Sequence, residues 1–149
     1  MVHVLGVVSG SALPQDGLSN VLTAPRGDAQ RRVVQDSLRS ASLQASDISY
    51  LEAHGTGTSL GDPIEVNALA PALSCPDPSS SPCWVGSVKT NLGHLEAAAG
   101  IAGVIKTVLA FQHRQIPTHL NFQTLNPRLQ LQRTRLRNPT CRVYGGEGV

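Results

Sequence analysis

Leu95-Glu96-Ala97-Ala98-Ala99-Gly100-Ile101-Ala102-Gly103-Val104-Ile105-Lys106-Thr107-Val108-Leu109-Ala110-Phe111 is the stretch that decides the fold. Its apolar residues lie almost all round a helix rather than on one face, and its first half is Ala and Gly. A helix of that kind is buried on every side, and its small residues let neighbouring backbones approach closely. The pattern predicts a helix from near His94 to near His113, held between sheets, with Pro117 beyond its end. Glu96 and Lys106 lie inside the run. It is too short and too charged to cross a membrane.

Outward from that helix, strand and helix patterns alternate. Val2 to Val8 reads as a buried strand closed by Ser9-Gly10-Ser11. Pro14 to Gly27 reads as a loop. Asp28 to Leu43 reads as an amphipathic helix carrying Val33, Val34, Leu38 and Ala41, with Asp28 in the N-cap place. Ile48 to Ala53 is a short strand. Asp62-Pro63-Ile64-Glu65 is a helix start, with Asp at N-cap, Pro at N1 and Glu at N3, for a helix reaching about Leu73 unless Pro71 ends it sooner. Cys75 to Pro82 is an exposed loop, Trp84 to Val88 a strand, and Lys89 to Gly93 a second polar loop. Residues 118–149 are mostly irregular by pattern. The alternation favours a layered α/β fold.

The whole chain sets limits. Its 149 residues make one domain or part of one, and 40% hydrophobic content is enough for a packed core. With 3% aromatics, that core must come from Val, Leu, Ile and Ala. Net charge is +2, and the Arg-rich stretch from Arg128 to Arg142 has no aromatic interleaving. It reads as a solvated tail, so no nucleic-acid partner is expected. Cys75, Cys83 and Cys141 are odd in number and widely spaced, which argues against a disulfide framework and for a reducing, cytoplasmic setting. The first residues lack the basic and apolar regions of a secretory leader, and no membrane partner is expected.

Two histidines stand at element junctions. His54 follows the strand ending at Ala53, and His94 opens the Ala/Gly helix. Such junctions suit active-site side chains, because rigid elements hold the loop in place. A helix N-terminus disfavours imidazolium, so His94 there should be a neutral donor to a developing oxyanion. A structural histidine is the competing reading at either place. Lys89 is either a surface lysine or a charge that organises the same loop. Asp62 and Glu65 have the spacing of a capping box, and they are also placed to pair with Lys89. Other motifs fail on spacing. The glycines at 55, 57 and 61 do not make GxGxxG, and Lys89-Thr90 lacks the glycines of a P-loop. His94-x-Glu96 has no following Pro-Cys-x-x-Cys, and Cys75 and Cys83 form no CxxC pair, so no metal is expected.

Two longer stretches carry a resemblance. Tyr50 to Glu65, YLEAHGTGTSLGDPIE, is similar to the first histidine motif of type I β-ketoacyl synthases (ketosynthases) of polyketide synthases. Gly86 to Gly103, GSVKTNLGHLEAAAGIAG, is similar to their lysine-plus-second-histidine motif. Gly10-Ser11-Ala12, Gln15-Asp16-Gly17 and Leu22 to Pro25 match the segment before them. Pro117 to Pro127 resembles the stretch after them. The resemblance therefore runs from about Val2 to Pro127, leaving 128–149 as a divergent tail expected to be irregular.

The resemblance implies the C-terminal half of a thiolase-like α/β fold. It implies decarboxylative Claisen condensation of acyl and malonyl-type thioesters in polyketide or fatty acid biosynthesis. His54 and His94 would assist decarboxylation and stabilise the enolate, and Lys89 would organise the site. Asp62, Glu65, Thr56, Thr58 and Asn91 would support them. No cofactor is implied in the domain itself, since substrates ride on the phosphopantetheine of an acyl carrier protein. The implied partners are that carrier, the N-terminal ketosynthase half and, in the complete enzyme, a second copy. The chain departs from the family in lacking the T-A-C-S-S type nucleophile motif, since none of its three cysteines matches it. Gly145-Gly146 is all that stands for the family's terminal G-F-G-G-T-N type loop, and Pro14 stands where Asn is common. Half of a layered fold would leave an apolar face uncovered, so poor independent stability is expected. The chain reads as a ketosynthase part inactive on its own. The alternatives are a truncated paralogue that only binds, and residual decarboxylation without condensation.

Overall fold

The computed structural model describes residues 2–13, 27–75, 80–129, 131–132 and 134–144. Along the chain run α1 (Gly27–Ala41), β1 (Tyr50–Glu52), α2 (Gly61–Ala72), β2 (Cys83–Gly86), α3 (Lys89–Leu92), α4 (Ala99–His113), β3 (Gln115–Ile116), β4 (Leu136–Arg137) and β5 (Val143–Tyr144). β1, β2 and β4 form a parallel sheet in that order, with Leu51 opposite Val85 and Cys83 opposite Leu136. Parallel neighbours need crossovers, and α2 supplies the one between β1 and β2. β3 and β5 make a small antiparallel pair.

The core lies where α1 and α2 meet the sheet. Leu73, Cys83 and Leu136 are at most 2% exposed. Ala70, Val34, Leu38, Leu51, Val85 and Leu131 pack with them. Val34 and Leu38 are the inward positions of the amphipathic helix α1. α2 runs through Pro71 to Ala72 rather than ending early.

Several expectations are corrected. Residues 2–8 form no strand, and Val2, Val4, Leu5, Val7 and Val8 are exposed. A strand persists only with a ladder partner, and none lies beside this segment among the described residues. Lys89–Leu92 is one helical turn rather than loop. The long helix begins at Ala99, after a 3-10 turn at Glu96–Ala98, because Gly93 (φ 74°) and Glu96 (φ 49°) break the helical path. His94 therefore stands upstream of α4 and not at its N-terminus. The helix itself is not enclosed by the described residues. Gly103 is its one buried residue, while Ile101, Val104, Ile105, Leu109 and Phe111 are exposed. The layer that such a helix needs over this face is not supplied by the described residues.

The tail is not wholly irregular. Leu136 extends the sheet, and Pro139 is fully buried. Arg135 is buried rather than solvated. Its guanidinium donates to the carbonyls of Ser81 (3.0 Å), Ile48 (2.9 Å), Ser46 (3.3 Å) and Ala45. A buried charge is tolerated when every donor finds an acceptor. The expected loop at 14–26, residues 76–79 of the 75–82 loop, and the Gly145-Gly146 end lie outside the described residues, as does Arg133.

Candidate active site

His54 is delivered by β1, whose ladder continues one step as Ala53 N–H donates to Gly86 O at 2.8 Å. The backbone N–H groups of His54 and Gly55 donate to the two carboxylate oxygens of Glu65, at 2.7 and 2.9 Å. Glu65 is 9% exposed, so these charge-assisted bonds act in a low-dielectric setting. Its carboxylate is thus a fastener for the histidine loop and not the second half of a capping box. Asp62 is not the N-cap either. The helix begins at Gly61, Asp62 Oδ1 accepts from Gly57 N–H at 3.1 Å, and Thr58 Oγ1 accepts from Gly61 N–H at 2.9 Å. Thr58 satisfies the start of the helix because its hydroxyl reaches the first helical N–H. Asp28 likewise lies within the first turn of α1. From the other side, the hydroxyl of buried Ser87 lies 3.5 Å from the carbonyls of His54 and Gly55, and it accepts from Lys89 N–H at 3.3 Å.

His94 follows α3. Its Nδ1 accepts from Glu96 N–H at 3.0 Å, so the donor proton of the ring sits on Nε2. A local hydrogen bond, not a helix dipole, orients this imidazole. The rings of His54 and His94 stand 5.4 Å apart between centroids and 86° to one another. Both side chains are exposed. Lys89 opens α3 and makes no ion pair among the described residues. Asp62 and Glu65 do not pair with it, since backbone N–H groups occupy both. Asn91 Oδ1 accepts only from Thr90 Oγ1, at 3.3 Å within its own turn, and Thr56 makes no side-chain hydrogen bond among the described residues. His54 and Lys89 line an open hollow of about 950 Å³, whose apolar wall includes Val7, Leu38, Val104 and Phe111.

No cysteine lines that hollow. Cys83 is buried in the core, Cys75 is half-buried and Cys141 is exposed. Burial pushes the Cys83 thiol up to about 11, with the Arg135 guanidinium acting the other way. Among the described residues, no three His, Cys, Asp or Glu side chains gather as a metal set would require.

Sequence reasoning missed a polar cluster behind the site. Lys106 Nζ donates to Glu52 Oε2 at 2.9 Å, and the Tyr50 hydroxyl donates to the same oxygen at 2.5 Å. Burial, and then the Glu52 carboxylate, raise the Tyr50 pKa well above the ordinary phenol range. A lysine in an otherwise apolar helix was the available signal, because such a charge needs a partner. His119 was missed too. It lines a cavity of about 190 Å³ beside Gly55, Glu65 and Ser87, and its Nδ1 is buried with no hydrogen-bond partner among the described residues. Burial and then Lys106 lower its pKa, while Glu52 and Asp62 oppose the shift.

Residues 5–123 match the family model described as the β-ketoacyl synthase C-terminal domain. Among curated proteins, erythronolide synthase EryA3 of Saccharopolyspora erythraea is 52% identical over 127 residues, covering 85% of this chain and 4% of that protein. The polyketide synthase GfsB of Streptomyces halstedii is 54% identical over 118 residues, covering 79% of this chain and 2% of that protein. Among solved structures, an oxazolomycin ketosynthase domain of Streptomyces albus superposes with a TM-score of 0.89 at 38% identity, covering 97% of this chain and 25% of that one. The ketosynthase from module 6 of the bacillaene synthase of Bacillus subtilis gives a TM-score of 0.89 at 38% identity, covering 97% and 26%. The chain therefore spans under a tenth of these curated relatives and about a quarter of these ketosynthases, and its α/β fold is the thiolase-like fold of that C-terminal portion.

Proposed function

The chain belongs to the β-ketoacyl synthase family, and from that premise we propose that it forms the histidine-bearing part of a condensing enzyme acting on malonyl-type thioesters held by an acyl carrier protein. The observation that carries this reading is the pair of imidazoles 5.4 Å apart, edge to face, with the His94 Nε2–H left free by the bond at Nδ1. Two N–H donors at such a spacing suit one thioester oxygen. In the proposed step the malonyl C–C bond breaks, carbon dioxide leaves, and its electron pair moves onto the thioester as an enolate whose oxygen the donors stabilise. The enolate carbon then attacks the carbonyl of an acyl thioester, a new C–C bond forms, the carbonyl–sulfur bond breaks, and the thiolate that had carried the acyl group leaves with that electron pair. That thiolate would come from a cysteine of the upstream half. Lys89, at the rim of the same hollow, adds positive charge where the negative charge develops. Asp62, Glu65 and Thr58 hold the His54 loop, a role the observed hydrogen bonds support.

The apolar wall of the hollow and the exposed face of α4 are what an N-terminal half would cover. A carrier-borne phosphopantetheine arm, a second copy in the complete enzyme and a cytoplasmic setting belong to the same reading. No helix is long and apolar enough to cross a membrane among the described residues.

The test is decarboxylation of malonyl-loaded carrier protein by the native enzyme that contains this chain. His54→Ala and His94→Ala are each expected to lower kcat by about a hundredfold or more. Retention of wild-type rate by both variants overturns the reading. The mass of the native polypeptide, detected through a peptide spanning His94, should lie far above 15.7 kDa. A mass near that value favours the truncated, binding-only paralogue.

A further inference from the structure

One carboxylate joins the segments that carry all three site residues. Glu52 Oε1 accepts the N–H of Val88, and Glu52 Oε2 accepts from Lys106 Nζ at 2.9 Å and from the Tyr50 hydroxyl at 2.5 Å. Val88 immediately precedes Lys89. Lys106 lies on α4, beyond His94. Glu52 itself ends the strand that delivers His54. The stretch bearing Lys89 and His94 is thus tied at both of its ends to the strand bearing His54.

The surroundings are shaped to this cluster. A Cβ on Gly103 would lie 3.0 Å from Glu52 Cγ, and a Cβ on Gly86 would lie 2.5 Å from the Tyr50 hydroxyl and 3.2 Å from Lys106 Nζ. A side chain at Gly103 would crowd Glu52, and one at Gly86 would push the Tyr50 hydroxyl aside. The Lys106 ammonium also stands 5.6 Å from the centre of the Tyr50 ring. Both charged side chains are 14% exposed. An ion pair so far from water adds little net stability, because desolvation offsets most of the attraction. Three hydrogen bonds converging on one buried carboxylate do fix geometry.

We infer that Glu52 and Lys106 are positioning residues that hold Lys89 and His94 in register with His54. The inference rests on the decarboxylation proposed above. It assigns a task to a carboxylate on the wall of the hollow and to the lysine that pairs with it.

The experiment uses the native enzyme, with malonyl-loaded carrier protein as the probe. Glu52→Gln keeps an acceptor for Val88 and removes the charge. Lys106→Met keeps the volume of the helix side chain. Each single variant should lower kcat by about tenfold or more, with KM held within about twofold. The double variant should recover at least about threefold of that loss, because no unpaired buried charge remains. Leu136→Ala, a core truncation outside the cluster, sets the baseline for lost stability alone. A kcat for Glu52→Gln no lower than that of Leu136→Ala, at equal folded fraction, overturns the inference. If the wild type and His94→Ala decarboxylate alike, the proposed function fails instead. Crystal structures of the wild type and Glu52→Gln then decide positioning. A His54–His94 ring separation shifted from 5.4 Å supports it, and an unchanged separation with an unmoved Lys89 turn overturns it.

Discussion

The two faces of the parallel sheet have opposite fates. On one, α1 and α2 close over Leu73, Cys83 and Leu136 and leave them at most 2% exposed. On the other, α4, residues 3–10 and one edge of α1 bound the hollow, and Ile101, Val104 and Ile105 remain more than half exposed although they are as apolar as the core. Composition does not separate the two faces; the presence of a covering layer does. The uncovered face is also the one that holds His54, Lys89 and the Glu52–Lys106 pair.

The largest test of that contrast is truncation on each face. Leu136→Ala should cost about 2–5 kcal/mol, in this chain and in a complete ketosynthase alike. Ile105→Ala should cost about 2 kcal/mol or more in the complete enzyme and under about 0.5 kcal/mol in the chain alone. Urea melts of the four proteins check this, and equal costs for Ile105→Ala in both settings would break the contrast. Next, Arg135→Met should cost about 2–3 kcal/mol, because the carbonyls of Ser81, Ile48, Ser46 and Ala45 lose a charged donor. Arg135→Lys should recover less than half of it, since a point charge cannot span four acceptors.

A smaller effect concerns pH. His119 has its pKa lowered by burial and by Lys106. The folded state therefore binds fewer protons than the unfolded chain below the ordinary histidine value of 6.5. Its neutral form supports stability fully above that value, and the support is lost as pH falls below it. His119→Asn should flatten the stability profile below the ordinary histidine value of 6.5. Thermal melts across that range are the check, and an unchanged slope would remove His119 as the cause. The slightest perturbation is thiol labelling. Cys141 should react at once, while Cys83 should wait for the core face to open, given its burial and raised pKa. Cys83 labelling thus reports the finished face alone.

Much of this was legible in the residues. Alternating patterns placed α1, β1, α2, β2 and α4 within a few residues, because periodicity reflects which side of an element faces the core. The Gly/Thr/Asn loops around His54 and His94 marked both histidines, and the folded chain brings their rings to 5.4 Å. Helix starts were less legible. Asp62 and Glu65 had capping-box spacing, yet Thr58 accepted the first helical N–H and Glu65 reached the His54 loop, because a carboxylate goes to the strongest unsatisfied donors in space and not in sequence. Arg135 read as a solvated tail residue, and the carbonyls that bury it come from segments far upstream. By itself, the sequence determined the places of α1, β1, α2, β2 and α4 and of the two loops that carry His54 and His94, since local propensity and motif spacing are properties of the chain. Only the tertiary structure decided what each charge was for and which apolar face was left open. Partners such as Glu52 and Lys106 meet across 54 residues, and burial is a property of neighbours, which no local pattern encodes.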